Sequence, residues 1–171
     1  MEIKRQHLYF GIGITAGVLV LAIAGRWAYK KFDIGTKLKL QTLHPSVRKK
    51  AEKFLAKARK QGINLIITSA YRDCKEQDNL YAQGRTKPGK VVTNARCGQS
   101  VHNYRMAFDV APVIDGKVNY NKADWEAIGQ IGESVGLQWG GRWSSFKDKP
   151  HFYDTGGKTV AQLMQESRLA A

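Results

Sequence analysis

The chain has 171 residues, of which 43% are hydrophobic, and it carries a formal net charge of +14. This length allows one domain plus an appendage, and the composition is typical of an ordinary globular α+β chain. Residues 1–61 hold 14 Lys and Arg against 3 Asp and Glu (+11), whereas residues 62–171 hold 14 against 11 (+3). Such a basic segment binds an anionic lipid or polymer, or is a solvated helix face. No nucleic-acid-binding motif accompanies it, so nucleic acid is not predicted as a partner.

An uncharged run of 18 residues, 8–25, lies near the start of the chain. As a helix it would be about 27 Å long, which is enough to cross the hydrocarbon core of a bilayer. Cations precede it, and cations and aromatic residues follow it, as at a membrane interface. We therefore predict a transmembrane signal-anchor over residues 1–25. A signal peptide cleaved near Ala22–Ala24 and a buried soluble helix are the alternatives.

Residues 26–42 are predicted to be a basic tether, and residues 43–171 the folded domain. The domain starts with a helix from Pro45 to just before Gly62. Its apolar face consists of Val47, Ala51, Phe54, Leu55 and Ala58. A buried strand is predicted over 64–70, a short helix over 76–83 and a loop over 84–98.

A central strand is predicted over 106–113, and Asp115-Gly116 predicts a hairpin turn after it. The remaining predicted elements are a helix (122–135), two short strands (137–139 and 151–153) and a last helix (159–168). This order favours an α+β fold with a small antiparallel sheet and flanking helices over a doubly wound sheet. The two cysteines, Cys74 and Cys97, are either joined in one bridge, as an exported protein allows, or free.

Two stretches carry the side chains with the most chemistry: SVHNYRMAFD (100–109) and DKPHF (148–152). They supply two imidazoles and a carboxylate from His102, Asp109 and His151. This set suits a catalytic zinc with one position open for water. It also suits Fe(II), but no oxygenase cosubstrate signature is present, so Zn²⁺ is the better prediction. Asp148 precedes the last of these ligands by three residues, where a carboxylate could handle the protons of that water.

From Ser69 to Tyr153 the chain resembles the VanY-like zinc peptidases of bacterial cell walls. Within them it is most similar to the L-alanyl-D-glutamate endopeptidases found among phage endolysins. The matching stretches are SAYRD with Gln77, LYAQGRTKPGKVVTNA, SVHNYRMAFD, LQWGGRW and DKPHF. The family pattern SxHxxGxAxD has its glycine where this chain has Arg105. That departure alters a turn or adds a substrate contact, but it spares both ligands in the motif.

The resemblance implies a Hedgehog/DD-peptidase-like fold, in which His102, Asp109 and His151 bind zinc and Asp148 is the catalytic base. Zinc lowers the pKa of its bound water and polarises the scissile carbonyl, and a base transfers the proton to the leaving amine. The resemblance also implies that Arg72 lies near the substrate, where a guanidinium could grip a carboxylate or an oxyanion.

Several further residues are weaker candidates. For Arg72 the alternative is a surface ion pair with Asp73 or Asp78. Three polar residues are candidates for substrate contacts: Ser69, Gln77 and Ser100. Three aromatic residues are candidates for cleft walls, although aromatic residues more often belong to a core: Trp139, Trp143 and Phe152.

The sequence therefore predicts an exported or membrane-tethered zinc peptidase that cuts the L-Ala–D-Glu bond of peptidoglycan stem peptides. We expect a phage endolysin, held at the bacterial inner membrane by residues 8–25, with its catalytic domain on the periplasmic or cell-wall side. A D-Ala-D-Ala carboxypeptidase on the same scaffold is the first alternative. A non-catalytic murein-binding or virion structural protein is another, but the complete ligand set argues against it. The last alternative is a basic binder of membrane or nucleic acid.

Overall fold

The structure is a computed structural model of the chain and describes residues 33–169. The predicted membrane segment 1–25 and the first part of the predicted tether lie outside the described residues. Between residues 33 and 169, no helix is long and apolar enough to cross a membrane.

Helices are mixed with short, hairpin-like strands along the described chain, as the sequence predicts. Residues 33–41 are helical and are called α1. The other elements are α2 (Pro45–Lys60), β1 (Leu65–Ser69), α3 (Cys74–Ala82), β2 (Ala107–Ile114), β3 (Lys117–Val118), α4 (Trp125–Glu133), β4 (Gln138–Trp139), β5 (His151–Tyr153) and α5 (Val160–Leu169). Short 3-10 helices cover Val101–Tyr104 and Gly140–Arg142.

The strands form one small antiparallel sheet in the order β1-β2-β5-β4, and β3 pairs with the far end of β2. The predicted turn at Asp115 and Gly116 joins β2 to β3, and both residues have positive φ, 53° and 73°. Two such residues give the turn a twist that matches its strands. The α+β fold with a small antiparallel sheet is confirmed.

The sheet has an apolar face, the back face, which packs on α2 and α4. Successive residues of a strand point to opposite faces, and Phe108 of β2 and Phe152 of β5 both point to the back. The ring of Phe54 in α2 lies 6.2 Å from that of Phe108 and 4.7 Å from that of Phe152, measured between centroids. All three rings are fully buried. The apolar face predicted for α2 is therefore the face that covers the sheet.

Two glycines of α4 allow the helix to lie close to the back face. A Cβ atom added to Gly129 would be 2.2 Å from the ring of Trp139, and one added to Gly132 would be 2.4 Å from the ring of Phe152. The helix begins at Trp125 rather than at 122, because the side chain of Asp124 accepts a hydrogen bond from the N–H of Ala127 and caps it.

The end of the predicted tether belongs to the folded unit. Leu40 of α1 is part of the hydrophobic core. Thr36 is buried, and its Oγ1 accepts a hydrogen bond of 3.1 Å from the N–H of Ile67 in β1. The boundary predicted between residues 42 and 43 is thus misplaced, because residues 33–41 form a helix that packs against the edge strand. The segment was predicted to be a tether because of its basic composition, which gives no indication of these apolar contacts.

Candidate metal centre

The front face of the sheet brings the three predicted ligands together. Asp109 on β2 and His151 on β5 are direct partners in the antiparallel register. Both follow the alternation that sends their neighbours Phe108 and Phe152 to the back. His102 comes from the 3-10 helix Val101–Tyr104, which precedes β2.

Three atoms of these residues form a nearly equilateral triangle. His102 Nε2 lies 3.3 Å from Asp109 Oδ1 and 3.2 Å from His151 Nδ1, and His151 Nδ1 lies 3.0 Å from Asp109 Oδ1. A tetrahedral metal with bonds of about 2.0–2.1 Å separates its ligand atoms by about 3.3 Å. The triangle therefore has the dimensions of one face of a tetrahedral metal site.

The hydrogen bonds at His102 set its tautomer. Its Nδ1 lies 2.6 Å from the carbonyl oxygen of Ala70, which can only accept, so Nδ1 carries the proton. Its Nε2 then presents a lone pair towards the carboxylate of Asp109. Facing lone pairs repel each other unless a proton or cation lies between them. A ligating histidine whose other nitrogen donates to a carbonyl is also the usual arrangement at a metal.

His151 has one nitrogen that the domain does not satisfy. Its Nε2 is the only buried side-chain nitrogen or oxygen without a hydrogen-bond partner among residues 33–169. An unsatisfied buried polar group costs about 1–3 kcal/mol, and a metal held through Nδ1 would leave this nitrogen without a partner. The observations that fit a bound metal ion are the dimensions of the triangle and the tautomer of His102.

Burial and neighbouring charges favour the ionisation states that bind metal. Burial lowers the pKa of His102, which keeps its imidazole neutral. Burial alone would raise the pKa of Asp109, but its interactions with the two histidines hold that pKa well below the usual range. A neutral imidazole and an ionised carboxylate are the forms that coordinate a cation.

Arg72 is buried behind Asp109. Its Nη2 donates to Asp109 Oδ2 at 2.8 Å, so the guanidinium holds the carboxylate oxygen outside the ligand triangle. The alternative of a surface ion pair with Asp73 or Asp78 is not what the structure shows. Asp73 caps α3, and Asp78 accepts from the N–H of Cys97 at 2.8 Å.

Ser69 and Gln77 support Arg72 and are not placed as substrate contacts. Arg72 Nε donates to Ser69 Oγ at 3.0 Å, and Arg72 Nη1 donates to Gln77 Oε1 at 3.1 Å. Gln77 is fully buried, and its Nε2 donates to the carbonyl of Ala95 at 2.8 Å. The prediction that Gln77 touches substrate is therefore wrong, because both ends of its amide are engaged inside the domain.

Ser100 is the N-cap of the 3-10 helix that carries His102. Its Oγ accepts from the N–H of His102 at 3.4 Å, and its own N–H donates to Asn103 Oδ1 at 3.4 Å. Asn103, which was not predicted as a functional residue, also donates to the carbonyl of Arg72 at 2.9 Å. The only sequence feature that could have indicated a role for Asn103 is its position within the matching stretch SVHNYRMAFD. Ser100 thus orients a ligand, and it also lines the cleft described below.

The backbone at Arg105 has the conformation that the glycine of the family pattern would adopt most easily. Arg105 ends the 3-10 helix with φ 62° and ψ 18°, in the left-handed region, where glycine has no steric penalty. Its Nη1 donates to the carbonyl of Thr42 at 2.8 Å, and its guanidinium lies 4.3 Å from the ring centroid of Tyr71. The turn is therefore kept, and the side chain binds the α1–α2 junction.

An open cleft of about 570 Å³ lies over the ligand triangle. Its walls include the chain from 92 to 95 and the aromatic residues Trp143 and Phe146. Of the three predicted aromatic wall residues, only Trp143 lines the cleft, since Trp139 and Phe152 are buried in the core. Phe146 and residues 92–95 were not predicted from the sequence to line the site, although residues 92–95 are the end of the matching stretch LYAQGRTKPGKVVTNA.

Asp148 also lines this cleft, beside His102 and His151. Burial, and then the nearby carboxylate of Asp109, raise its pKa, which suits a group that must take up a proton. Its N–H donates to the carbonyl of Gly140 at 3.2 Å. A Cβ on Gly140 would lie 2.6 Å from the carbonyl oxygen of Asp148, so this glycine of the LQWGGRW stretch lets the Asp148 segment approach the sheet.

The wall at 92–95 is tied to α3. Cys74, the first residue of α3, forms a disulfide with Cys97, with 4.6 Å between their Cα atoms. Of the two states that the sequence left open, the structure has the bridge. The bridge and the bond from Gln77 to Ala95 fix the end of the 84–98 loop beside the ligand triangle.

A triangle of two buried imidazoles and a half-buried carboxylate, open to a cleft that a second carboxylate lines, is the arrangement of a metallohydrolase site. Residues 93–154 match the family described as D-alanyl-D-alanine carboxypeptidase, within the M15 peptidases. The peptidoglycan L-alanyl-D-glutamate endopeptidase CwlK of Bacillus subtilis (strain 168) is 45% identical over an alignment of 119 residues, which covers 64% of this chain and 71% of CwlK. The chain belongs to the M15 peptidase family, and it is a metallopeptidase. The resemblance to the VanY-like peptidases is confirmed.

Solved structures share the fold. The L-Ala D-Glu endopeptidase ChiX of Serratia marcescens has a TM-score of 0.55 at 19% identity, over 71% of this chain and 86% of that one. The vancomycin resistance D,D-pentapeptidase VanY, crystallised with Zn(II), has a TM-score of 0.52 at 13% identity, over 73% and 79%. At these identities the likeness shows the fold alone.

Proposed function

We propose that this protein is a zinc-dependent endopeptidase that hydrolyses the L-Ala–D-Glu bond of peptidoglycan stem peptides. The observation that carries the proposal is the triangle of His102, Asp109 and His151, open to a cleft that Asp148 lines. The choice of bond is supported by the 45% identity with an enzyme named for it.

The proposed chemistry assigns a separate task to each side chain. His102, Asp109 and His151 would hold zinc, which when bound lowers the pKa of a water and polarises the scissile carbonyl. Asp148 takes up the proton of the attacking water and delivers it to the leaving amine. Arg72 is a positioning residue, because its guanidinium holds Asp109 at the oxygen outside the triangle.

Product analysis on purified peptidoglycan tests the proposal. Cleavage at the proposed bond leaves L-Ala on the muramic acid and releases peptides with a free amino group on D-Glu, which mass spectrometry of the products detects. A metal chelator should stop the release, and added zinc should restore it. Digestion that continues unchanged in the chelator would refute a metal-dependent enzyme.

A D-Ala-D-Ala carboxypeptidase is the second candidate, because residues 93–154 match a family described by that activity. The same digest separates the two. A carboxypeptidase releases free D-Ala and leaves the L-Ala–D-Glu bond intact. An assay for free D-Ala that is positive, with no new amino group on D-Glu, would replace the first proposal by this one.

We further propose that the protein acts as an endolysin, held at the inner membrane by residues 8–25 with its domain on the wall side. The apolar run and the Cys74–Cys97 disulfide support this, since structural disulfides persist in oxidising compartments outside the cytoplasm. Expression in a bacterial host should give protein in the membrane fraction that added protease can digest in spheroplasts. Protein found only inside intact spheroplasts would contradict the proposed location.

A further inference from the structure

The positive charge of the domain is concentrated on α1 and α2. Residues 33–61 hold nine Lys and Arg against two acids, Asp33 and Glu52, a charge of +7, whereas residues 62–171 carry +3. Both acids form ion pairs within these two helices. The catalytic half of the chain is thus close to neutral, and the basic part is a separate surface.

Four lysines of α2 form a row, here called the lysine stripe: Lys49, Lys53, Lys57 and Lys60. All four are exposed, and their spacing of three or four residues places them side by side on neighbouring turns. Lys57 donates to Ser134 Oγ at 2.7 Å. Within residues 33–169, the side chains of the other three take part in no ion pair or hydrogen bond. Like charges at this spacing repel one another, so an anionic partner would stabilise the stripe.

The lysine stripe and the cleft lie on opposite sides of the sheet. Helix α2 covers the back face through Phe54, which packs on Phe108 and Phe152. Asp109 and His151 adjoin those two residues in the strands and point to the front. A partner that binds the stripe therefore leaves the cleft uncovered and facing away from it.

We infer that the lysine stripe binds the surface of an anionic phospholipid membrane and holds the domain with its cleft turned away from the bilayer. The charge has the sign that anionic headgroups attract. A membrane bound at the back of the domain would leave the cleft on the front open to a polymer on the other side. Seven residues, 26–32, separate the predicted membrane segment from α1, and a chain of that length spans at most about 25 Å. The domain of an inserted chain would thus lie close to the headgroups.

Vesicle binding by the full chain tests the inference. The predicted segment 8–25 would bind any vesicle, so the relevant quantity is the gain on vesicles with 30 mol% phosphatidylglycerol over pure phosphatidylcholine. We expect each stripe lysine to contribute up to about fivefold at low salt, and screening to reduce this at 0.5 M salt. The test variant is K49Q/K53Q/K60Q, which spares the lysine that contacts Ser134. The single variant K53Q covers the case in which the triple variant fails to fold.

The matched control is K75Q/K90Q/K117Q, which removes the same charge from exposed positions outside α1 and α2. The inference predicts that the stripe variant loses most of the gain, that the control keeps most of it, and that both cleave a soluble stem peptide like the wild type. Equal losses in both variants, or no gain for the wild type, would overturn it. Stripe-dependent binding of soluble poly(glycerol phosphate) without any gain on anionic vesicles would also overturn it, in favour of a wall polymer.

Discussion

The two faces of the central sheet are made of neighbouring residues in the same strands, yet burial has opposite effects on stability at the two faces. On the back, Phe108 and Phe152 meet Phe54, and burial of apolar rings stabilises the fold. On the front, the half-buried Asp109 and the buried His151 lie with an arginine and a second histidine, and these groups cost stability unless each one finds a partner. Loss of a metal-binding group on the front should therefore leave the packing of the back intact. Loss of core packing on the back should leave the geometry of the front intact.

The largest effect is expected from removal of a ligand on the front face. His102→Ala leaves two of the three triangle atoms, so zinc content should fall and the rate of stem-peptide cleavage should drop at least about 10⁴-fold. Metal analysis and the cleavage assay measure the two effects. The domain should still unfold cooperatively, because the back face is unchanged. A variant that keeps zinc and full activity would remove His102 from the site.

Asp148→Asn should lower the cleavage rate by about 10²- to 10⁴-fold while zinc stays bound. Burial and Asp109 raise the pKa of Asp148, so its ionised form costs stability at neutral pH. That cost disappears as the pH falls and the carboxyl becomes protonated. The variant should thus be at least as stable as the wild type at pH 7. A lower unfolding temperature at pH 7 would show that the carboxylate supports the fold instead.

The wild-type pH profile belongs to the same test. Its acid limb should have a midpoint above the ordinary aspartate pKa of about 3.9, and Asp148→Asn should remove that limb from the residual activity.

Phe54→Ala tests the back face alone. The ring is fully buried between two others, and its loss should lower the free energy of unfolding by about 3–5 kcal/mol. Urea denaturation measures this. The cleavage rate per folded molecule should change less than about twofold, since no group on the front moves. A large loss of rate in fully folded protein would mean that the two faces are coupled.

Gln77→Met tests the support behind the ligands. It keeps the volume of the side chain but removes the bonds to Arg72 and Ala95. Loss of such indirect support typically lowers metal affinity by about 10- to 100-fold, which competition with a chelator measures. Glu76→Gln, on the exposed side of the same helix, is the control and should leave the affinity unchanged.

The smallest effect is expected at Arg105. Arg105→Gly and Arg105→Ala both lose the bond to Thr42 and the contact with Tyr71, but only glycine takes up φ 62° without a steric penalty. The glycine variant should therefore be more stable than the alanine variant by about 1 kcal/mol. Thermal unfolding of the pair gives the difference, and equal stabilities would mean that the turn changes its conformation.

The sequence predicted the helices and strands better than the side-chain contacts between them. Local patterns, such as the apolar face of α2 and the Asp115-Gly116 turn, depend on neighbours in the chain and could be recognised without the fold. The three ligands were proposed from the chemistry of their side chains, and the family resemblance strengthened the set, since no spacing rule brings His102 and His151 together. The partners of Ser69 and Gln77 could not be predicted, because each depends on a side chain in another element.

The register between β2 and β5 has a consequence for folding. Because Asp109 is paired with His151 and Phe108 with Phe152, sliding β5 by one residue would exchange the two faces of that strand. A phenylalanine would then enter the ligand triangle, and a histidine would enter the core. Core and triangle can only be correct together, so a metal ion that needs both ligands stabilises just the native pairing. Cleavage activity in a refolding reaction thus measures the fraction of chains in which β2 and β5 have paired in the native register.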